Sequence, residues 1–369
     1  GNIFISFAVD YSYFGNYGII KYNAAGDSLW SRKYDFSVPG FETPYALTLD
    51  NSGNVISTGS SGYENESEFG TIKYNSSGAL QWARKFYGAQ LVNDASNGMV
   101  TDKNGNVYTV GTTRTNLGDN ITVVKYNSAG VQKWVHNRGG GGVTGYDVRD
   151  EGKAIGIDSS GNVYFTGTWY YWATNKNDIC TGKLDSNGAS QWFTVENGSG
   201  TDYGDDTGND IAVDSAGNVF ITGQISGPGG DLNFITIKYN TLGVRQWARG
   251  YGAISGGKDI ANAIALDQSG NVFVTGTSDG AGTGTNITTI KYSSAGVQQW
   301  VKTYDGYSSE NDFGNDIGID KAGNIYVCGG AGEGSPEAVL IKYLNDATGT
   351  QQWIRLEDWA LSGYYPTFF

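Results

Sequence analysis

The chain has 369 residues and a formal net charge of −13, with 57 glycines, 14% aromatic residues and only 17% charged residues. So much apolar surface with so little charge excludes a disordered acidic chain. The glycines keep no three-residue period, which excludes collagen, and no stretch reaches the roughly 18 apolar residues of a membrane helix.

The first predicted strand opens at Gly1-Asn2, and Gly-Asn followed by Val or Ile returns at Gly53, Gly105, Gly161, Gly217, Gly270 and Gly323. Each Gly-Asn opens an apolar run such as NVYFTG or NVFVTG, which reads as a strand. A second run follows in every unit and closes on a lysine: Lys21, Lys73, Lys125, Lys183, Lys238, Lys291 and Lys342. A tryptophan stands nine residues after each of the first six lysines (Trp30, Trp82, Trp134, Trp192, Trp247 and Trp300). The seventh, Trp353, comes eleven later because LNDATG carries two extra residues.

Turns punctuate these runs. Asp50, Asp102, Asp158, Asp214, Asp267 and Asp320 each precede a repeat glycine by three residues. The string D-x-x-G reads as a type I turn closed by glycine at positive φ. The same chemistry recurs in a second hairpin, from Asn23–Gly26 to Ser293–Gly296. A further strand lies ahead of each aspartate, as in DIAVD, AIALD and DIGID.

Four short antiparallel strands repeated seven times predict an all-β chain, a seven-bladed β-propeller occupying residues 1–369 as one domain. Blades are covered on both faces by their neighbours, so their strands look continuously apolar. The first unit begins at its second strand, so the ring is expected to close with N- and C-terminal strands in one blade, residues 357–369 supplying the last. At these residues the chain resembles the bacterial SBBP family of β-propeller repeats. The motif D-x-x-G-N-V-Y-V-T-G is nearly intact at Asp158–Gly167, Asp214–Gly223 and Asp267–Gly276. Phe7 departs from it at the strand-end glycine of the first unit, and Gly182-Lys183-Leu184 departs in the fourth. The resemblance implies the fold and often an exported location, but no defined activity. Abundant Gly, Asn, Ser, Thr and Tyr likewise fit an extracellular or cell-surface bacterial protein.

The seven copies serve as internal controls: what every copy carries answers to the fold, and what one copy carries on a loop answers to something local. By that rule the tryptophans are scaffold, and the lysines are expected to pair with hairpin aspartates, since a buried charge needs a partner. A second acid stands eight residues before each hairpin aspartate: Glu42, Asp94, Asp150, Asp206, Asp259 and Asp312. These are expected to cap incoming loops. The competing reading is a Ca²⁺ site at the channel mouth, for which single carboxylates without a dedicated ligand loop are weak support. No other metal and no cofactor is expected. His136 is the only histidine and stands in no catalytic motif. Gly140-x-Gly142-x-x-Gly145 opens no helix and is not read as a dinucleotide site. Cys180 and Cys328, the only thiols, make no disulfide framework.

Unrepeated residues gather in the fourth unit. The segment Thr168–Asn175 reads TWYYWATN, where the matching segments of units five to seven contain no aromatic residue. Long flanking connections carry Arg138, Tyr146, Arg149, Tyr203 and Asp205. Aromatic faces stack on sugar rings while polar tips bond hydroxyls. Trp169 and Trp172 are therefore expected to stack, Tyr170 and Tyr171 to combine packing with hydroxyl contacts, Tyr146 to join that surface, and Arg149 and Asp205 to orient polar groups. The expected function is a non-enzymatic binding propeller with a glycan or protein ligand. It has no nucleic-acid partner, because no basic cluster exists, and no membrane insertion. The alternatives are a carbohydrate-active enzyme, with Asp205 beside Asp206 among its carboxylates, and a structural module of a larger surface assembly.

Overall fold

The computed structural model describes residues 1–9, 15–36, 40–63, 66–90, 94–139, 149–171, 174–197, 204–227, 230–282, 284–306, 310–332 and 337–357. The described residues form 27 strands and no helix. Seven antiparallel sheets follow one another along the chain. The first has three strands, Ile3–Val9, Asn16–Tyr22 and Ser28–Tyr34, and the other six have four each, in sequential order. These sheets are the blades of a seven-bladed β-propeller, numbered here one to seven. Of the expected closing strand, residues 357–369, all but Glu357 lie outside the described residues, and Glu357 ends the last strand of blade seven. Two compact units divide the chain: residues 1–175 with 183–191 and 369, and residues 176–182 with 192–368.

The repeated turns, two in each of blades two to seven and one in blade one, turn as their sequences require. Gly105 and Gly130, for example, have φ of 74° and 76°, and Gly105 N–H donates to the Asp102 carbonyl at 3.0 Å. Positive φ is open to glycine at no steric cost, which is why glycine recurs there. The aspartate side chain completes the turn: Asp102 Oδ1 accepts from Asn104 N at 2.9 Å and Asn106 N at 3.0 Å, and Oδ2 from Asn106 Nδ2 at 2.7 Å. These charge-assisted bonds hold Asp102 below the ordinary carboxylate range although burial opposes them.

The joint between successive blades is built from the repeated lysine and tryptophan. In blade three, Lys125 lies opposite Tyr108 on one side and Trp134 on the other. Its ammonium sits 4.9 Å from the Tyr108 ring centre and donates to the Ser186 carbonyl, in the turn of blade four, at 3.0 Å. Trp134 Nε1 donates to the same carbonyl at 3.1 Å. The glycine of that turn, Gly188, has room for no Cβ, because one would stand 2.7 Å from the Trp134 ring. The arrangement repeats with Trp30 and Ser76, and with Trp247 and Ser294.

The expected lysine–aspartate pair is therefore corrected in most blades. It is formed at Lys73–Asp50, 2.7 Å apart with both side chains 4% exposed. Elsewhere an aromatic residue opposite the lysine takes the cation on its face, as Phe4, Tyr108, Tyr164, Phe220, Phe273 and Tyr326 do. Blade two has Ile56 at that position, opposite Lys73. Without a π face, the buried ammonium takes the carboxylate instead.

His136 belongs to the same joint. Two residues after the tryptophan, Arg32, Arg84 and Arg249 donate through Nε to the carbonyls of Gly78, Gly130 and Gly296 at 2.6–2.7 Å. His136 occupies the equivalent place in blade three and hydrogen-bonds the Gly188 backbone. Burial, then the Arg138 charge, lowers its pKa. The sole histidine is thus a blade-to-blade contact.

Candidate functional site

The second set of acids is buried: Glu42, Asp94, Asp150, Asp259 and Asp312 are 0% exposed, and Asp206 is 3% exposed. Asp94 shows what they do. Its Oδ2 accepts from Gly88 N at 2.7 Å, fastening the incoming loop, and its Oδ1 accepts from Arg114 N at 2.8 Å, fastening the end of the next strand. Phe36 N and Gly306 N donate in the same way to Glu42 and Asp312, and Ser226 N to Asp206. Burial pushes Asp94 and Asp259 up to about 6 even so. Among the described residues no group of three or more His, Cys, Asp or Glu side chains is placed to hold a metal ion.

In blade four this acid supports the aromatic segment. Asp150 Oδ1 accepts from Tyr170 N at 2.8 Å. The sequence places TWYYW on a loop, but the strand Val163–Tyr171 runs through its first four residues. Side chains alternate along a strand, and here they do so visibly. Trp169 is half-buried, Tyr170 is 8% exposed, and Tyr171 is 46% exposed. Tyr170 is therefore an anchor beneath the surface: its hydroxyl donates to Asn175 Oδ1. Asn175 adopts φ of 59°, and its N–H donates to the Tyr171 carbonyl at 3.0 Å, closing the turn. Trp169 and Tyr171 share the other side of the strand.

Arginines border this strand end. The guanidinium of Arg138 lies 5.7 Å from the Trp169 ring centre. Arg138 is the cross-strand partner of Ile121, and the backbone of Asp119, two residues earlier, forms an isolated parallel β-bridge with that of Arg149. Asp119 also pairs with Arg114 at 3.1 Å. The Arg149 carbonyl in turn accepts from Thr168 Oγ1, next to Trp169. Side-chain contacts thus join Arg114 to Asp119 and Arg138 to Trp169, while Arg149 is linked to Asp119 and Thr168 through its backbone, all in the first compact unit. Arg114 and Asp119 were not singled out from sequence. The signal available was that Arg114 stands apart from the repeated tryptophan, unlike the joint arginines.

Asp205 lies in the second compact unit, where its Oδ1 accepts from Asn177 N at 2.9 Å and its carbonyl accepts from Ser226 Oγ at 3.0 Å. Trp172, Tyr146 and Tyr203 lie outside the described residues. Sequence reading also passed over Asp210 and Asp316, on the first strands of blades five and seven, where the sister residues include Ala46, Gly98, Ala154 and Ala263. Asp210 accepts from Ile211 N at 2.7 Å and from Ile264 N, in blade six, at 2.8 Å. Desolvation, with a smaller contribution from Asp316, pushes it up to about 7.

The repeat geometry agrees with a family model. Residues 81–118, 199–230, 246–282 and 301–331 match the SBBP family, described as a β-propeller repeat. Those four stretches match the SBBP repeat. No curated protein matches its sequence. Among solved structures, polysaccharide lyase Uly1 is similar at 11% identity and a TM-score of 0.55, over 97% of this chain and 88% of that one. A PL25 ulvan lyase bound to -[GlcA(1-4)Rha3S]- is similar at 11% identity and a TM-score of 0.54, over 96% and 92%. Quinohemoprotein alcohol dehydrogenase ADHIIG from Pseudomonas putida HK5 is similar at 11% identity and 0.53, over 95% and 67%. At this identity the likeness is one of fold.

Proposed function

We propose that this SBBP propeller is a non-enzymatic binding protein of the cell surface or extracellular space, and that it holds a glycan at the strand end of blade four. The observation that carries the reading is the Trp169–Tyr171 pair on one side of a strand, with Tyr170 and Asp150 anchoring it from beneath. A fixed strand presents aromatic faces without an ordering cost at binding. That propellers of similar fold act on polysaccharides supports a saccharide ligand without bringing their chemistry to this chain. Binding is favoured over acid–base catalysis because Asp150 and Asp206 are buried and hold backbone amides. A glycan array followed by calorimetric titration tests the proposal. Trp169→Ala combined with Tyr171→Ala should weaken the array-selected glycan at least tenfold, about 1.4 kcal/mol, with the melting temperature unchanged. Undiminished binding by the double variant, or no glycan bound by the parent, removes the reading.

A further inference from the structure

We infer that blades two and three hold a second binding site, a polar pocket at the Lys73–Asp50 pair that takes a small hydroxylated monocarboxylate of sugar-acid size. It shares no residue with the blade-four surface and does not depend on the glycan reading. The pocket has a volume of about 330 Å³ between the turns of the two blades, and no apolar side chain lines it. That volume is near the lower end of the roughly 300–1,000 Å³ usual for ligand pockets, which sets the ligand's size. The pocket goes with the departure at Ile56. In four other blades the repeated lysine reaches the turn of the next one. Lys21, Lys125 and Lys238 donate to the carbonyls of Ser76, Ser186 and Ser294, and Lys291 donates to Asn345 Oδ1, at 2.6–3.2 Å. Tyr108, Tyr164 and Tyr326, opposite other repeat lysines, place a hydroxyl on their own turn aspartates at 3.0–3.1 Å. Ile56 has no hydroxyl to offer, and the Lys73 ammonium takes that place on Asp50 Oδ2. Asp50 is its only partner among the described residues, and Ser128, in the turn of blade three, lines the pocket instead of receiving the lysine.

An ammonium carries three N–H donors, and this one is 4% exposed with a single acceptor. Its remaining donors are best met by oxygen atoms of a molecule in the pocket. Asp50 cannot hold a cation there, because its acceptor positions are filled. Oδ1 accepts from Ser52 N and Asn54 N, and Oδ2 accepts from Asn54 Nδ2 and Lys73. Lys103 brings a second ammonium to the lining, exposed and paired with no acid among the described residues. Lys73 and Lys103 against Asp50 leave one positive charge, local to this pocket in a chain of net charge −13. One carboxylate balances that charge. Hydroxyl groups on the same molecule would meet Ser52, Ser128 and Asn104, which also line the pocket.

The test is calorimetric titration of the full chain with galacturonate, gluconate and glycerate, against galactose, acetate and inorganic phosphate. At least one hydroxy acid should bind about tenfold or more tightly than all three controls, and less tightly as salt is raised. Lys103→Gln removes the uncompensated charge at an exposed position and should lose about fivefold or more of that affinity with an unchanged melt. Ile56→Tyr restores the residue found in the sister blades, frees Lys73 for the Ser128 carbonyl, and should lose about tenfold or more. Should Ile56→Tyr fail to fold, the Lys103→Gln result decides. Trp169→Ala combined with Tyr171→Ala should keep the affinity, which separates this site from the blade-four surface. The inference is overturned if no hydroxy acid binds, if galactose or acetate binds equally well, or if phosphate binds more tightly than every hydroxy acid. Full affinity in Lys103→Gln, or lost affinity in the Trp169 and Tyr171 double variant, overturns it as well.

Discussion

Trp134 and Trp169 stand in neighbouring blades and do different work. Trp134 recurs in every unit. Its Nε1 meets a backbone carbonyl of the next blade, and its ring fills the space left by a turn glycine. Trp169 occurs once, at the end of a strand, with an arginine over its ring and an exposed tyrosine two residues on. The same side chain is a fastener where the next blade supplies a carbonyl acceptor and a turn glycine, and a surface where its neighbours are an arginine and an exposed tyrosine. Repetition along the sequence distinguishes the two without an alignment, because seven copies sample the same structural environment. The comparison also explains why the chain can carry so many tryptophans: most are held to one geometry by their joints.

The largest expected effect breaks a joint from its acidic side. Asp50 is both a turn aspartate and the counter-charge of Lys73, whereas Asp214 serves its turn through Ala216 N, Asn218 N and Asn218 Nδ2. Asp50→Ala strands a buried ammonium and should cost about 3–5 kcal/mol. Asp214→Ala removes turn bonds alone and should cost about 1 kcal/mol. Urea unfolding of the two variants measures the difference, and equal losses would mean that the joints do not depend on pairing the lysine.

A smaller effect is expected from pH, and its sign is unusual. Asp94 and Asp259 titrate near 6 and Asp210 near 7 in the folded chain, above the ordinary carboxylate value. Raised folded values give stability that is complete below the ordinary carboxylate pKa and is lost as pH rises through 6–7. His136 acts oppositely, since its lowered pKa gives stability above about 6.5 that is lost on acidification. The turn aspartates Asp50, Asp102, Asp158 and Asp267 are lowered and keep their contribution until pH falls below about 4. Three carboxylates outweigh one histidine, so the melting temperature should rise by several degrees from pH 8 to pH 5. Asp94→Asn should flatten that rise, and a melting temperature that falls steadily over the interval would contradict the assignment.

The blades were legible in the sequence because their determinants are local and repeated: D-x-x-G turns, strand-length apolar runs, and the fixed lysine–tryptophan spacing. The role of the second acids was legible for the same reason, since a loop-capping carboxylate needs nearby amides. The lysine's partner was not, because it depends on a residue across the sheet, and a single change to Ile56 in blade two redirects Lys73 to Asp50. At the candidate site, sequence singled out Trp169, Tyr171, Arg138 and Arg149 and expected Tyr170 to combine packing with hydroxyl contacts, whereas Tyr170 is buried with its hydroxyl on Asn175. Strand alternation decides that point, and it shows only once the strand is known to continue to Tyr171. Arg114 and Asp119 were passed over because the ion pair they form across the sheet shows only once their strands are paired.

The claim that repetition separates scaffold from site is tested most directly by Trp134→Ala and Trp169→Ala, measured side by side for melting and for affinity toward the array-selected glycan. Trp134→Ala should lose roughly 3–5 kcal/mol of stability and keep its affinity when assayed well below its melting temperature. Trp169→Ala should melt like the parent and bind about tenfold or more weakly. Loss of affinity in Trp134→Ala without loss of stability, or a core-sized loss of stability in Trp169→Ala, would contradict the account.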